Sequence, residues 1–401
     1  MNVLFDATWI GTHFKQNAMH GGLRVIYELT KRLESANEVD LFYSSNRYDR
    51  VIINNLHSFI KENNYSNHQN KIANNQTEIF RIINYLNSNL KKPILLNHFD
   101  KHKLKMINVY HSPIEAIPEA IKNYKNIKRV FSSHDLMPFT RPDLAPVNFA
   151  KLLKPAYDSI DKETKVICVS KFTKSELLNY RKDLDEDQID VIYLGADKNT
   201  FFPNLSTTNY LVLANKYNFK FEKYLLCLNR NQKYKNTEHI IEAYIRVVNE
   251  SQNTDLGLVL IGNFDDIETK KKFMLKYGTY KHIHFIEYVP DIELSVFYSN
   301  ALSFVYMSLY EGFGLPIIEA MQCGTPVISS NQASLPEVVN GYGICIDPLD
   351  IELLSNQIYL ILKDSKLSKN LSTKSLERSN FFSWEKNLEE TIQVYKKAIN
   401  N

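Results

Sequence analysis

Two carboxylates, Glu311 and Glu319, stand on either side of Gly312-Phe313-Gly314-Leu315-Pro316, a spacing that can hold two diols with an anion between them. Gly312 and Gly314 let the backbone approach a ligand closely, while Pro316 disfavours α geometry at Leu315, so a helix is expected to begin at Pro316. The first amides of such a helix lack intrahelical partners and carry the positive end of the peptide dipoles, which suits a phosphate. Glu319 falls in that first turn, and Glu311 lies across the turn from it. One carboxylate accepting from a sugar, the other from a ribose, and a diphosphate on the amides between them together describe a nucleotide sugar. An acidic pair beside a helix start is common in itself, so the surrounding residues carry the argument.

The chain continues Ala320-Met321-Gln322-Cys323-Gly324-Thr325-Pro326-Val327-Ile328-Ser329-Ser330, which reads as the rest of a helix, a C-terminal glycine and a buried strand. With Ser308-Leu309-Tyr310 before it and Ser334-Leu335-Pro336-Glu337-Val338 after it, this stretch resembles the donor-site signature of family 4 of the retaining glycosyltransferases, which have the GT-B fold. Within that family it looks most like mannosyltransferases of surface-polysaccharide assembly. The resemblance is strongest from about Val166 to the C-terminus and thin between Ser44 and Asn108.

The resemblance implies roles residue by residue. Leu228 to Asn236 is similar to the segment in which an arginine and a lysine, five positions apart, bind the donor diphosphate, which implies Arg230 and Lys235. Both would follow an apolar strand, Tyr224 to Leu228, at the carboxyl end where open α/β sheets bind ligands. His134-Asp135, after another strand, resembles the pair whose histidine contacts the transferred sugar. Gly21-Gly22-Leu23-Arg24, ahead of a helix over Val25 to Leu33, looks like the glycine-rich loop beside the donor phosphates, although a glycine pair alone signals only a turn. Arg24 then reaches a phosphate or the acceptor, or else makes a surface ion pair. Glu311 would hold sugar hydroxyls beside the amides of Gly312, Phe313, Gly314 and Leu315, and Glu319 would hold the ribose. Glu287, followed by Tyr288 and Val289 near the nucleobase, stands where relatives carry glycine; its carboxylate either accepts from guanine or points to solvent.

The implied reaction is transfer of a hexose with retention, by front-face attack of the acceptor hydroxyl, since no protein nucleophile is evident. GDP-mannose is the first expectation for the donor and a UDP-hexose the second, with a glycan or lipid-linked acceptor. A sugar-nucleotide epimerase of similar fold and a catalytically silent nucleotide binder are the competing readings. No cofactor and no metal are expected: Asp183 and Asp185 lie in an acidic run beyond a helix, where charge is usually solvated, and the implied cations and helix amides already balance a diphosphate.

Composition agrees with this class. The chain has 401 residues, enough for two domains, and a net charge of +3, which implies no nucleic-acid surface. Residues 91–129 hold nine basic and three acidic side chains, a density that suits anionic lipid head groups or equally a solvated lysine-rich face. No stretch is long and apolar enough to span a bilayer, and Met1 to Ile10 does not read as a signal peptide, so the expected location is cytoplasmic, peripheral on the inner face of the membrane. Cys168, Cys227, Cys323 and Cys345 lack metal-ligand spacing and read as reduced thiols.

The elements that must position these residues alternate between apolar runs of strand length and helical patterns, the mark of parallel sheets. Val3 to Phe5, Val39 to Tyr43, Val109 to His111, Val130 to Ser132 and Lys165 to Val169 supply one sheet. Tyr224 to Leu228, Leu256 to Ile261, His284 to Phe285, Ala301 to Tyr306, Val327 to Ser329 and Gly343 to Ile346 supply another. The expectation is an α/β protein of two Rossmann-like domains facing across a cleft. Residues 1–192 form the acceptor side and 193–380 the donor side, while a helix within 381–401 packs back on the first domain. The linker begins at Tyr193-Leu194-Gly195-Ala196-Asp197. Residues 44–108, rich in asparagine, carry no catalytic motif and either help choose the acceptor or form a passive insertion.

Overall fold

The computed structural model describes residues 1–14, 21–47, 49–65, 71–74, 99–219, 221–228, 232–251, 255–264 and 266–400. Two six-stranded sheets organise them, and every pairing is parallel. The first contains β1 (Asn2–Asp6), β2 (Asp40–Ser44), β3 (Val109–Ser112), β4 (Lys128–Ser133), β5 (Thr164–Cys168) and β6 (Ile189–Val191), in the order β2-β1-β3-β4-β5-β6. The second contains β7 (Lys223–Leu228), β8 (Leu256–Ile261), β9 (Ile283–Ile286), β10 (Ser303–Tyr306), β11 (Val327–Ser330) and β12 (Ile344–Ile346), in the order β12-β11-β10-β7-β8-β9. Helices cover both faces, so central strands read as unbroken apolar runs; all six residues of β8 are buried.

In each sheet the strand order turns back at one strand, β1 in the first and β7 in the second. Such a reversal opens a crevice at the carboxyl ends of the strands. The chain leaves β7 toward Lys235 and leaves β10, its neighbour, toward Glu311. The topology therefore places both side chains at one crevice although they are 76 residues apart.

The last helix, Trp384–Asn400, crosses back to the first sheet. Ile392, Val394, Tyr395 and Ala398 are buried with Val3, Phe5 and Val130. The Tyr395 hydroxyl lies 2.6 Å from His111 Nδ1, and His111 Nε2 lies 2.8 Å from Ser132 Oγ, a fully buried polar chain tying helix to strands. At the crossover, a Cβ on Gly195 would fall 2.4 Å from the Trp384 nitrogen, so only glycine lets these two backbones touch.

Two local expectations are corrected. Strand β6 lies just before the linker; with two apolar residues on a sheet edge, it offers too short a pattern to read in the sequence. The helix of the signature begins at Leu315 rather than Pro316, because Gly314, at φ 112° and ψ 48°, makes the reversal before it.

Candidate active site

Lys235 closes a short 3₁₀ turn, Lys233–Lys235, after β7, and Asn236 follows in the left-handed conformation. A backbone bond from Leu309 N–H to the Tyr234 carbonyl, 2.7 Å, joins this turn to the approach of the signature. Lys235 Nζ then lies 2.6 Å from Glu311 Oε1 and donates at 2.6 Å to the Tyr306 hydroxyl, which donates at 2.7 Å to the same carboxylate oxygen. Both charged side chains are mostly buried, 11% and 15% exposed, so screening by water is weak. Burial, reinforced by the Glu311 charge, raises the Tyr306 pKa well above its ordinary value and keeps the phenol protonated as a donor.

The turn itself abuts the other sheet. A Cβ on Gly312 would sit 1.9 Å from the His134 carbonyl oxygen and 2.9 Å from Asp135 Cβ. The Gly312 carbonyl accepts from Ser170 Oγ at 2.7 Å and Thr173 Oγ1 at 3.1 Å, both at the start of the helix Lys171–Tyr180. Ser334 donates to the carbonyls of Glu311 and Phe313 at 2.9 and 2.8 Å. The Phe313 ring is buried beside Tyr193 and Phe382, and Leu315 is also buried, so these residues offer the site their backbone.

His134 stands at the carboxyl end of β4, half-buried, with Nε2 2.9 Å from the Pro113 carbonyl. Burial lowers its pKa to about 4, so at neutral pH the ring is uncharged. A carbonyl accepts only from N–H, which puts the proton on Nε2 and a lone pair on Nδ1, able to accept from a hydroxyl. Burial pushes the Asp135 carboxyl up to about 6; the Met137 N–H bond opposes this, and the charges of Glu311 and Glu176 add to it.

Glu319 is nearly enclosed, 3% exposed, and its carboxylate pairs with Arg24, which reaches from the first domain and also pairs with Asp291. Arg24 thus makes a cross-domain pair at the cleft. Gly21 and Gly22, expected as a loop ahead of a helix over Val25 to Leu33, instead form the first turn of the helix Gly21–Ser35; a Cβ on Gly21 would meet nothing within 4 Å. Glu287, 61% exposed, pairs with Lys270; Tyr288 is half exposed and Val289 is buried. The structure therefore gathers Lys235, Glu311, Gly312 and His134, with Glu319 one helical turn further on, and leaves Glu287 outward. Arg230 lies outside the described residues.

Asp183 pairs with Arg181 at 2.6 Å, which lowers its pKa to about 2, and Asp185 caps the turn Glu186–Gln188. Among the described residues no group of three or more His, Cys, Asp or Glu side chains is arranged to hold a metal ion, and no helix is long and apolar enough to cross a membrane. Of the basic stretch, residues 91–98 lie outside the described residues; Arg129 is buried against Asp161 and Glu163, while Lys101 and Lys105 are exposed.

Three participants escape sequence reasoning. Tyr306 could have been found from its place at the end of β10, five residues before Glu311. The Arg24 to Glu319 pair spans 295 residues and leaves no local signal. Glu337 accepts from the backbone N–H of Lys171 at 2.9 Å and from the Tyr193 hydroxyl at 2.6 Å, a cap supplied to a first-domain helix by the second domain.

Comparison with known proteins bears on the family and the fold. Residues 19–200 match the family described as Glycosyltransferase Family 4, and residues 213–378 match Glycosyl transferases group 1. O-antigen chain mannosyltransferase B of Escherichia coli is 32% identical over 296 residues, covering 72% of this chain and 74% of that one. The serotype-specific mannosyltransferase WbdA of Escherichia coli is 25% identical over 276 residues, covering 68% of this chain and 34% of that one, so this chain spans about a third of that relative's length. A glycosyltransferase from Rickettsia africae ESF-5 superposes with a TM-score of 0.71 at 19% identity, covering 100% of this chain and 99% of that one. Anabaena HepE, solved with UDP and glucose, superposes at 0.70 and 14% identity, covering 99% and 100%. These likenesses identify the two-sheet architecture as the GT-B fold. With two family matches falling one on each sheet's part of the chain, and a relative at 32% identity over most of both lengths, the chain is a glycosyltransferase and belongs to family 4.

Proposed function

We propose that this glycosyltransferase moves a hexose, mannose from GDP-mannose, to a glycan or lipid-linked acceptor in surface-polysaccharide assembly, with retention of anomeric configuration. The observation that carries the reading is the meeting of Lys235 and Glu311 at 2.6 Å beside the switch point of the second sheet, with His134 across the turn at Gly312. The names of the relatives favour mannose and an O-antigen-like product.

In this reading Lys235, Arg230 and the amides of the helix Leu315–Gln322 take the diphosphate, and Glu311 accepts from the sugar hydroxyls. Glu319 accepts from the ribose, and His134 orients the sugar through Nδ1. The acceptor oxygen bonds to the anomeric carbon on the face from which the diphosphate departs. The sugar–phosphate bond breaks with its electron pair going to phosphate oxygen, which takes the hydroxyl proton. Charge grows on that leaving group, so donors aimed at it act chiefly in the transition state.

The test is a thermal-shift panel of GDP, UDP, ADP and TDP with their sugars, followed by NMR of the product linkage. The matching ligand at a hundred times its dissociation constant should stabilise by about 2.7 kcal/mol. A UDP-hexose as the only stabilising donor would replace mannose, and an inverted linkage would remove the front-face step. Transfer should persist in excess EDTA; loss restored by magnesium or manganese would show that a divalent ion is required. The reading also places the protein in the cytoplasm against the inner face of the membrane through residues 91–129. Equal sedimentation with anionic and zwitterionic vesicles would remove that part.

A further inference from the structure

The Glu319 carboxylate is held by a side chain from the opposite domain. Arg24 sits in the first helical turn after Gly21-Gly22, and one guanidinium nitrogen bonds Glu319 Oε1 while the other bonds Asp291. Asp291 begins the helix Asp291–Asn300, so the two acids come from different elements and fix the orientation of the guanidinium plane. The Phe201 ring lies 5.8 Å from the guanidinium carbon, and Arg24, Asp291 and Glu319 line a small cavity of about 30 Å³ together with Gly195 and Trp384. Arg24 is therefore mostly buried, 19% exposed, between the two acids. Glu319 Oε2 takes the longer 3.4 Å bond from the Tyr298 hydroxyl.

We propose that Arg24 is a positioning residue, which holds the Glu319 carboxylate charged and oriented so that Oε2 accepts from the ribose diol of the bound nucleotide. The proposal rests on the ribose role of Glu319 given above. A carboxylate this enclosed is stable as an anion only with a counter-charge, and Arg24 supplies it. Burial raises the Glu319 pKa, Arg24 opposes that rise, and Asp291 adds to it. The other titratable groups around it are Glu28 on the helix of Arg24, Asp197 of the crossover, Tyr298, and Cys323, whose thiol burial raises to about 12. None of these replaces the cation.

Calorimetric titration of GDP and UDP tests this with Arg24→Met, Arg24→Lys, Glu319→Gln and the Arg24→Met/Glu319→Gln pair, circular dichroism confirming the fold. Relative to wild type at each pH, Arg24→Met should weaken the nucleotide the enzyme uses by tenfold or more at pH 7, with the deficit shrinking as pH rises. Arg24→Lys should recover most of the affinity without that pH dependence. Arg24→Met should add little to Glu319→Gln. Wild-type affinity in Arg24→Met would reduce Arg24 to a tie between domains, and tighter binding would make it a block on the site; either overturns the proposal. If Arg24→Met does not fold, a pH-dependent deficit in Arg24→Lys overturns it as well. Wild-type affinity in Glu319→Gln would instead sink the ribose role itself.

Discussion

Lys235 and Glu311 pair at 2.6 Å; in the proposed reading a diphosphate brought to that ammonium would free carboxylate lone pairs for a sugar. Removing the ammonium should therefore cost more in the transition state than in binding. Lys235→Ala is expected to lower turnover by about 2–4 kcal/mol in barrier height, with a smaller change in KM, measured at saturating donor. Near-normal turnover would place Lys235 on an ordinary loop. Asp6, at the end of β1, raises a different question. It is 2% exposed, accepts from Thr8 N–H at 2.9 Å and Thr8 Oγ1 at 2.5 Å, and burial pushes its carboxyl from 3.8 to about 7. Between those values the folded chain keeps a proton that the unfolded chain has lost, so this group's contribution to stability falls as pH rises through the window and levels off above it. Denaturation at pH 5 and pH 8 should show Asp6→Asn gaining on wild type at the higher pH. An equal difference at both would mean that Asp6 titrates normally.

At the scale of elements, the signature turn abuts the first domain at His134. The 1.9 Å approach of a Gly312 Cβ to the His134 carbonyl meets backbone, which cannot swing aside. Gly312→Ala should part the turn from His134 and lower kcat/KM by about a hundredfold, as a misplacement near 1 Å does, while circular dichroism stays unchanged. Unchanged kinetics would show that the contact is dispensable. The turn, every strand but β6 and the two flanking acids were legible in sequence because glycine, proline and apolar runs act locally. Lys235 was legible through the family resemblance of Leu228 to Asn236, and its partner Tyr306, at the end of β10, was missed because its ring reads as strand core. Arg24 left its fate open for a physical reason: an arginine on a helix face looks the same whether water or a carboxylate 295 residues away receives it. Glu287 was open likewise, and Lys270, 17 residues earlier, is what holds it.

At the scale of the molecule, the cleft is closed by bonds that run from one domain to the other. Glu337 caps a first-domain helix, Ser170 and Thr173 donate to the Gly312 carbonyl, Arg24 joins Glu319, and the last helix returns to His111. In the proposed reading, a donor bound to the second sheet would meet groups carried by the first, an arrangement that would keep water from the breaking bond. The central claim is that Glu311 reads the sugar of a nucleotide sugar in this cleft. Calorimetric titration of GDP-mannose and GDP into wild type and Glu311→Gln tests it most directly. The account predicts that wild type binds GDP-mannose more tightly than GDP, and that Glu311→Gln loses this difference without weakening GDP binding. A Glu311→Gln variant that keeps the full preference for GDP-mannose would contradict it.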